Sequence, residues 1–530
     1  MGNKNLEWMG FRCCKLLNNK SRGYWANSMK GLHFLCGFKT NSYKRNNFGK
    51  RWAEQMSQRK KIYQAWFKAL DLTNQNGVVA RVLAEARNNF YDRLHGYGYV
   101  SPDPPVDKYY YYKDHKSGSP PYLPVYHLDQ MQVYEVIPRD VNESYIRDIG
   151  NHFGFSASDA VEYHNDYLLM SRQDPPGDPC DPNLAVHTLQ VYTNSGQYSY
   201  FNTGPMWPSQ TGLTFPDPTT AYGQAEAFLT NSGLHMSDAG LYDVEYDTLC
   251  YAEGNDVNAL TTDYIGCAVT YAREIEAFTG TNVSVAGAGA RLKVYLNQTG
   301  GDPNLPAAMG NWRNITSTGI VPVLPKQEVF DRFKEHGEKV SLEPISVEYN
   351  RVVSDLNTPK LAYYEHPGAE LQAELIPIWI FSVDYYDGDE LLTTADTFVP
   401  SAHEFYPPIA NITSPGDGSE FEPNDVIDFN SVTDSNYGTS PYTYEWTSDI
   451  DGQLSTAASF SGSLNIACVS DDNSIEVASH TIMLTITDAD GRSSSESVDV
   501  TIRRFCSDLN CDNIVNFGDL AVMGEQWLKP

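Results

Sequence analysis

Along three stretches of the chain, a 3.6-residue hydrophobic period gives way to strict alternation. The first predicts a helix over 142–153, after the Pro138-Arg139-Asp140 stop, then strands over 160–171 and 187–202 with a turn at Asn194-Ser195-Gly196. The second predicts a helix over 220–232, with Ala225, Phe228 and Leu229 on its apolar side, followed by strands over 241–251, 265–274 and 291–296. The third begins after Pro325 with a helix over 326–335, buried through Val329, Phe330 and Phe333, and closes with strands over 360–365 and 375–385. Short helices over antiparallel hairpins make an α+β arrangement, with one sheet face covered. Beyond Pro407-Pro408 the pattern changes to short strands with turns between them every 8–12 positions, the spacing of a β-sandwich. Ile482, Leu484 and Ile486 alternate there, as do Val498, Val500 and Ile502, so one face of each strand belongs to a core.

Two resemblances follow from these stretches. The run Arg291-Leu292-Lys293-Val294-Tyr295-Leu296, with Lys360-Leu361-Ala362-Tyr363-Tyr364 and Leu375-Ile376-Pro377-Ile378-Trp379, is similar to PepSY-like and cystatin-like modules. That likeness spans 124–400 in about three units, and such modules bind, inhibit or sense. Tyr444-Glu445-Trp446 before Ser448-Asp449-Ile450-Asp451-Gly452, with 480–488 as the penultimate strand, resembles a PKD domain over 407–504. The resemblance implies an immunoglobulin-like sandwich that serves as a spacer or adhesion module, with Trp446 between its sheets.

Charge divides the chain further. The whole carries −29, yet residues 1–100 carry +13 and the remainder −42, and no lysine occurs between Lys360 and Lys529. Such an acidic surface repels phosphate backbones and argues against a nucleic-acid partner. No apolar run is long enough to span a membrane as a helix. The basic stretch 1–100 is read as an atypical, partly helical or disordered segment, with helices expected over 52–69 and 78–93. It lacks the apolar core of a secretion signal, and the favoured reading is a displaced start. A competing reading makes it an anchoring arm on anionic lipid or cell-wall polymer. Residues 101–123, rich in Pro and Tyr, are expected to be a linker.

The sharpest chemical pattern lies at 506–530. Asp508, Asn510, Asp512, Asn516 and Asp519 occupy positions 1, 3, 5, 9 and 12 of an EF-hand-type loop, and Ile514 offers its carbonyl from position 7. Calcium takes six or more hard oxygens, which this spacing can wrap around one ion. Position 6 is Asn513 in place of Gly, a residue that also enters the left-handed region. With Asp at position 12 and Leu520-Ala521 following, the segment resembles the first half of a type I dockerin. A full dockerin has two repeats; one is present here. The resemblance implies calcium as cofactor and a cohesin-like or cell-surface partner.

Catalytic signatures are missing. There is no His-Glu-x-x-His, Gly-x-Ser-x-Gly or phosphate loop, and Gly287-Ala288-Gly289 precedes a strand, so it is read as a turn. Asp384, Asp387, Asp389 and Glu390 are read as a solvated hairpin end, and His152, His164 and His187 as structural. Of the nine cysteines, Cys250/Cys267 and Cys506/Cys511 are candidates for local disulfides, with buried thiols an equal alternative for the first pair. The sequence thus points to a non-catalytic secreted or cell-surface binding or regulatory protein with a polysaccharide or protein ligand. The rival is an extracellular hydrolase, polysaccharide-degrading or peptidase, whose catalytic region is 124–400.

Overall fold

The structure is a computed structural model. It describes residues 7–503 other than 13–14, 30, 43–46, 74–77, 103–110, 118–126, 175–176, 179–180, 182, 253–259, 302–304, 311, 346, 434–436 and 466–476. The protein is largely β and falls into two units, one of residues 1–334 with 341–401, the other of 335–340 with 402–530.

In the first unit twelve strands pair in succession. From one edge they run Trp8–Gly10, Phe34–Phe38, Val79–Ala84, Tyr111–Lys116, Ala239–Ala252 and Leu260–Phe278. They continue through Arg291–Leu296, Ala307–Gly310, Tyr198–Asn202, Ala185–Tyr192, Tyr167–Asp174 and Val161–Tyr163. Only the first of these pairings is parallel. A second branch leaves the far half of Leu260–Phe278 through Thr281–Ala286, which pairs in parallel with Lys360–Tyr364. Glu374–Asp387 and Glu390–Pro400 continue that branch, and Glu374–Asp387 also pairs with Arg351–Ser354 and with Gln130–Ile137, which pairs with Asn314–Pro322.

The helices of the three helix-and-strand stretches stand where the periodicity places them, while the helix expected over 52–69 is two, Phe48–Ser57 and Ile62–Leu72. Glu143–Asn151 starts at Asn142, whose side chain accepts from the Tyr145 amide, and buries Ile146 and Ile149 against Leu168, Met170, Leu189 and Val191. Pro218–Ser232 is capped by Asp217, has Pro in its first turn and stops at Gly233, which has φ +69°. Its buried Ala221, Ala225 and Leu229 lie on Val269, Tyr271, Leu292 and Val294. Lys326–His336 buries Val329, Phe330 and Phe333, with Phe330 against Phe381.

Three expectations change. The helix-and-strand stretches are not separate units, because Ala307–Gly310 sits between Arg291–Leu296 and Tyr198–Asn202 and merges the first two into one sheet. The basic N-terminal stretch is part of this same sheet, joined to it where Tyr111–Lys116 pairs with Ala239–Ala252. Within it, 78–93 is a strand, Val79–Ala84, and a 3-10 turn, Arg87–Tyr91. Its short apolar run satisfies a buried strand as well as a helix, and pairing on both sides decides for the strand. The expected linker contains Tyr111–Lys116, an interior strand, since the charges of Lys113, Asp114 and His115 find partners inside.

The second unit has a three-stranded sheet, Ile412–Ser414, Ile427–Ser431 and Ser459–Gly462. Facing it is a five-stranded sheet of Ser419–Phe421, Ser493–Arg503, Val477–Thr487, Thr443–Ser448 and Gly452–Ser455. Trp446 lies in their shared core with Phe429, Ile482, Leu484, Ile486, Val500 and Ile502, and its Nε1 donates to the Ala457 carbonyl at 3.1 Å. The alternation read from 482–486 and 498–502 is the alternation of this core.

Gly287 and Gly289 let the branch close. Gly287 has φ +99°, and a Cβ there would lie 2.1 Å from the Glu365 carbonyl oxygen; at Gly289 it would lie 2.2 Å from that of His366. Gly287→Ala is therefore expected to cost about 2–4 kcal/mol through strain and displaced backbone. Gly280→Ala, at φ +75° with open space around it, should cost about 1 kcal/mol. Thermal unfolding midpoints of the two variants check the order.

Candidate functional site

The titratable groups of the first unit gather on its sheet and on the helix Ile62–Leu72, every residue of which is buried. A helix covered all round must neutralise its polar side chains internally. Asp71, at its C-terminal end, does so with Oδ1 at 3.0 Å from His115 Nε2 and Oδ2 accepting from the Tyr295 hydroxyl at 2.9 Å. On the other side of the ring, His115 Nδ1 lies 2.8 Å from Asp247 Oδ1, and Asp247 Oδ2 accepts from Trp207 Nε1. Burial works against a charged imidazole here, but Asp247 and Asp71 outweigh it and push His115 up to about 9. Burial likewise opposes the charge of Asp71, yet His115 and Lys293 hold its carboxyl well below the usual range. Lys68, one turn back on the helix, is lowered by burial to about 8 despite Asp71.

This Asp–His–Asp arrangement contains acid and base groups in contact, but His115 is 0% exposed and both ring nitrogens are engaged. A general base must reach the proton that it takes. What the arrangement does is fasten the helix Ile62–Leu72 to the strands Tyr111–Lys116, Ala239–Ala252 and Arg291–Leu296.

A second buried network supports the branch. Arg273 donates to Glu365 at 2.7 Å and to Asp238 at 2.8 Å, and the Arg313 amide donates to Glu365 at 2.8 Å. The Arg313 guanidinium meets the carbonyls of His366, Pro367 and Glu370.

Chemistry open to solvent lies elsewhere, in a cleft of about 600 Å³ in the first unit. Among the described residues, Lys15, Lys39, Asn41, Ser42, Thr393 and Asp396 contribute its polar wall, while Val78, Ile345 and Leu391 contribute an apolar one. Lys15 holds φ +54°, a left-handed conformation, fixed by its amide on the Thr40 carbonyl at 3.0 Å and its carbonyl on the Asn18 amide at 3.1 Å. Its Nζ donates to the Leu392 carbonyl. Lys39 Nζ lies 3.3 Å from Asp114 Oδ2, whose carboxylate is also gripped by the buried Arg81. Burial pushes the Asp396 carboxyl above its usual value, with Lys360 opposing.

The candidates from the sequence fall differently. Asp508, Asn510, Asp512, Ile514, Asn516 and Asp519 lie outside the described residues. Asp387 and Asp389 form a hairpin end, where Asp387 accepts from Asn350 and the exposed Asp389 lies 3.7 Å from Arg351, while Asp384 accepts from Thr394. His187 meets the Tyr200 hydroxyl at 2.8 Å, and His164 stacks on Tyr167. Cys250 and Cys267 are buried thiols, not a disulfide. No group of metal-ligating side chains occurs among the described residues. Asp71, His115, Asp247 and the cleft lysines were not singled out from the sequence. The available signal was a cluster of charges in the Tyr-rich stretch 111–116, which reads equally as solvated linker.

Residues 1–114 match the model of a domain of unknown function, DUF6345. The match ends within the strand Tyr111–Lys116. No curated protein matches the chain. Among solved structures, an uncharacterized protein from Eubacterium rectale ATCC 33656 is similar with a TM-score of 0.27 and 7% identity, covering 51% of this chain and 82% of that one. The extracellular domain of a putative one-component system from B. thetaiotaomicron gives 0.15 and 8%, covering 74% of this chain and 60% of that one. Scores this low establish no shared fold.

Asp247→Asn leaves a buried imidazolium with one carboxylate, and a loss of about 3 kcal/mol is expected. The gain from a raised histidine pKa is fully present below about 6.5 and disappears as pH rises through about 9. The gap between wild type and variant should therefore be largest below pH 6.5 and shrink toward pH 9, as read by denaturant unfolding across that range.

Proposed function

We propose that the protein is a non-catalytic, secreted or surface-displayed multi-module binding protein. In this reading the first unit binds a ligand, the second is a PKD-type spacer, and 506–530 is a calcium-stabilised dockerin-like end. The observation that carries it is the division of chemistry in the first unit. Its acid–base groups are locked in the core by mutual hydrogen bonds, and the solvent-facing cleft is lined by ammonium, amide and hydroxyl groups suited to holding a polar ligand.

The spacer reading draws on the two facing sheets around Trp446 and on the acidic balance of 407–504, which is −13. The calcium reading rests on the oxygen-bearing positions Asp508, Asn510, Asp512, Asn516 and Asp519, with the Ile514 carbonyl. Extracellular calcium is abundant enough to fill such a loop, and a cohesin-like or cell-surface partner would read the filled loop.

Calorimetric titration of the full chain with calcium should give about one ion per chain. The Asp508→Ala, Asp512→Ala double variant should lose that binding. No calcium uptake by the wild-type chain overturns the dockerin-like assignment and, with it, the extracellular setting inferred from it.

A further inference from the structure

The cleft of the first unit has a chemistry narrow enough to name a ligand class. We propose that it binds a small hydroxyl-bearing organic monoanion, a polyhydroxylated carboxylate, with Lys15 as its principal anion contact. This deepens the binding-protein reading and rests on it.

Size comes first. About 600 Å³ falls within the usual range for small-ligand sites and accommodates one or two sugar-sized rings. Charge comes next. In a chain of −29, the described lining brings two lysines against one carboxyl, Asp396. Lys39 is shared with Asp114, which Arg81 already pairs from within the sheet. Lys15 spends one Nζ hydrogen on the Leu392 carbonyl and retains two further donors. Asp396 in turn faces Lys360, so Lys15 is the described lining cation with donors to spare, and one such contact suits a carboxylate better than a phosphate dianion. No arginine is among the described lining residues, so the planar two-pronged grip that favours phosphate has no source there.

The remaining lining completes the description. Asn41 brings an amide that both donates and accepts, and the Thr393 hydroxyl, whose hydrogen goes to the Thr394 carbonyl, brings an acceptor, as a polyol requires. Val78 and Ile345 are buried and form an apolar wall for the C–H face of such a ligand. Lys15 provides an independent sign. A left-handed lysine costs backbone energy that an asparagine or glycine would avoid, and strain of this kind gathers at ligand-holding positions.

The test is calorimetric titration of the full chain with D-glucuronate, D-glucose and inorganic phosphate. Glucuronate is expected to bind with a dissociation constant of about 0.1 mM, and glucose and phosphate at least about tenfold more weakly. Lys15→Asn, which keeps a residue tolerant of the left-handed conformation, should weaken glucuronate about tenfold. Lys334→Asn, an equal change of net charge on the exposed helix face, should leave it unchanged. Failure of glucuronate to bind, phosphate binding as tightly, or equal losses in both variants overturns the proposal. A short oligouronide separates the sources. Equal binding identifies the end of an acidic polysaccharide as the ligand, and exclusive binding of the monomer identifies the free acid; both support the site. Failure in these arms with calcium uptake intact leaves the modular reading standing. Lys15-dependent consumption of the oligouronide would instead overturn its non-catalytic part.

Discussion

An imidazolium can stay in the middle of a β-sheet only if the cost of removing its charge from water is met from both sides. His115 meets that condition through Asp71 and Asp247, each of which accepts a second hydrogen bond from an aromatic residue, Tyr295 or Trp207. The clamp gathers one helix and three strands that are remote in sequence. His115 lies 44 residues from Asp71 and 132 from Asp247. It ties Tyr111–Lys116 to Ala239–Ala252, its neighbour on one side, while Val79–Ala84 pairs on the other. A buried, fully paired network of this kind contributes little net stability compared with an apolar core, but it strongly penalises arrangements that break it.

The same logic of close, satisfied contacts holds the second branch. Glu365 receives Arg273 and the Arg313 amide while its own carbonyl lies against Gly287, where no side chain fits. Both networks hold most of their ionisable groups out of solvent and orient the strands that carry them. The cleft around Lys15 and Lys39 has the opposite character. Its cations are only partly spent on the protein itself, and its walls mix hydroxyl, amide and aliphatic groups. Core and cleft meet at Asp114, which neutralises Arg81 inside and touches Lys39 outside. The rigid sheet thereby fixes the charge available at the cleft wall.

The second unit has no such clamp at its centre. Its two sheets close over aliphatic residues, Phe429 and Trp446, and its buried histidine, His480, is held by the Ser448 hydroxyl at 2.9 Å and the Asn465 carbonyl at 2.8 Å, with the Asp451 carboxylate 3.8 Å away. Its acidic surface residues stay in water.

What the sequence determined by itself is local. The three helices at Glu143–Asn151, Pro218–Ser232 and Lys326–His336 and the strand Arg291–Leu296 were legible because period and capping chemistry act within a few residues. Tertiary structure alone decided the partners. A two-residue period says that a strand has a buried face but not which strand lies beside it, so Ala307–Gly310 could not be foreseen between Arg291–Leu296 and Tyr198–Asn202. Nor could Tyr111–Lys116 be recognised as interior, because Lys113, Asp114 and His115 look solvated until distant partners are brought to them, the Trp207 carbonyl for Lys113 and opposite charges for Asp114 and His115. The cleft was hidden for the same reason: its walls come from 15–42, Val78, Ile345 and 382–396, and its charge is set by how many of its lysines the fold has already paired.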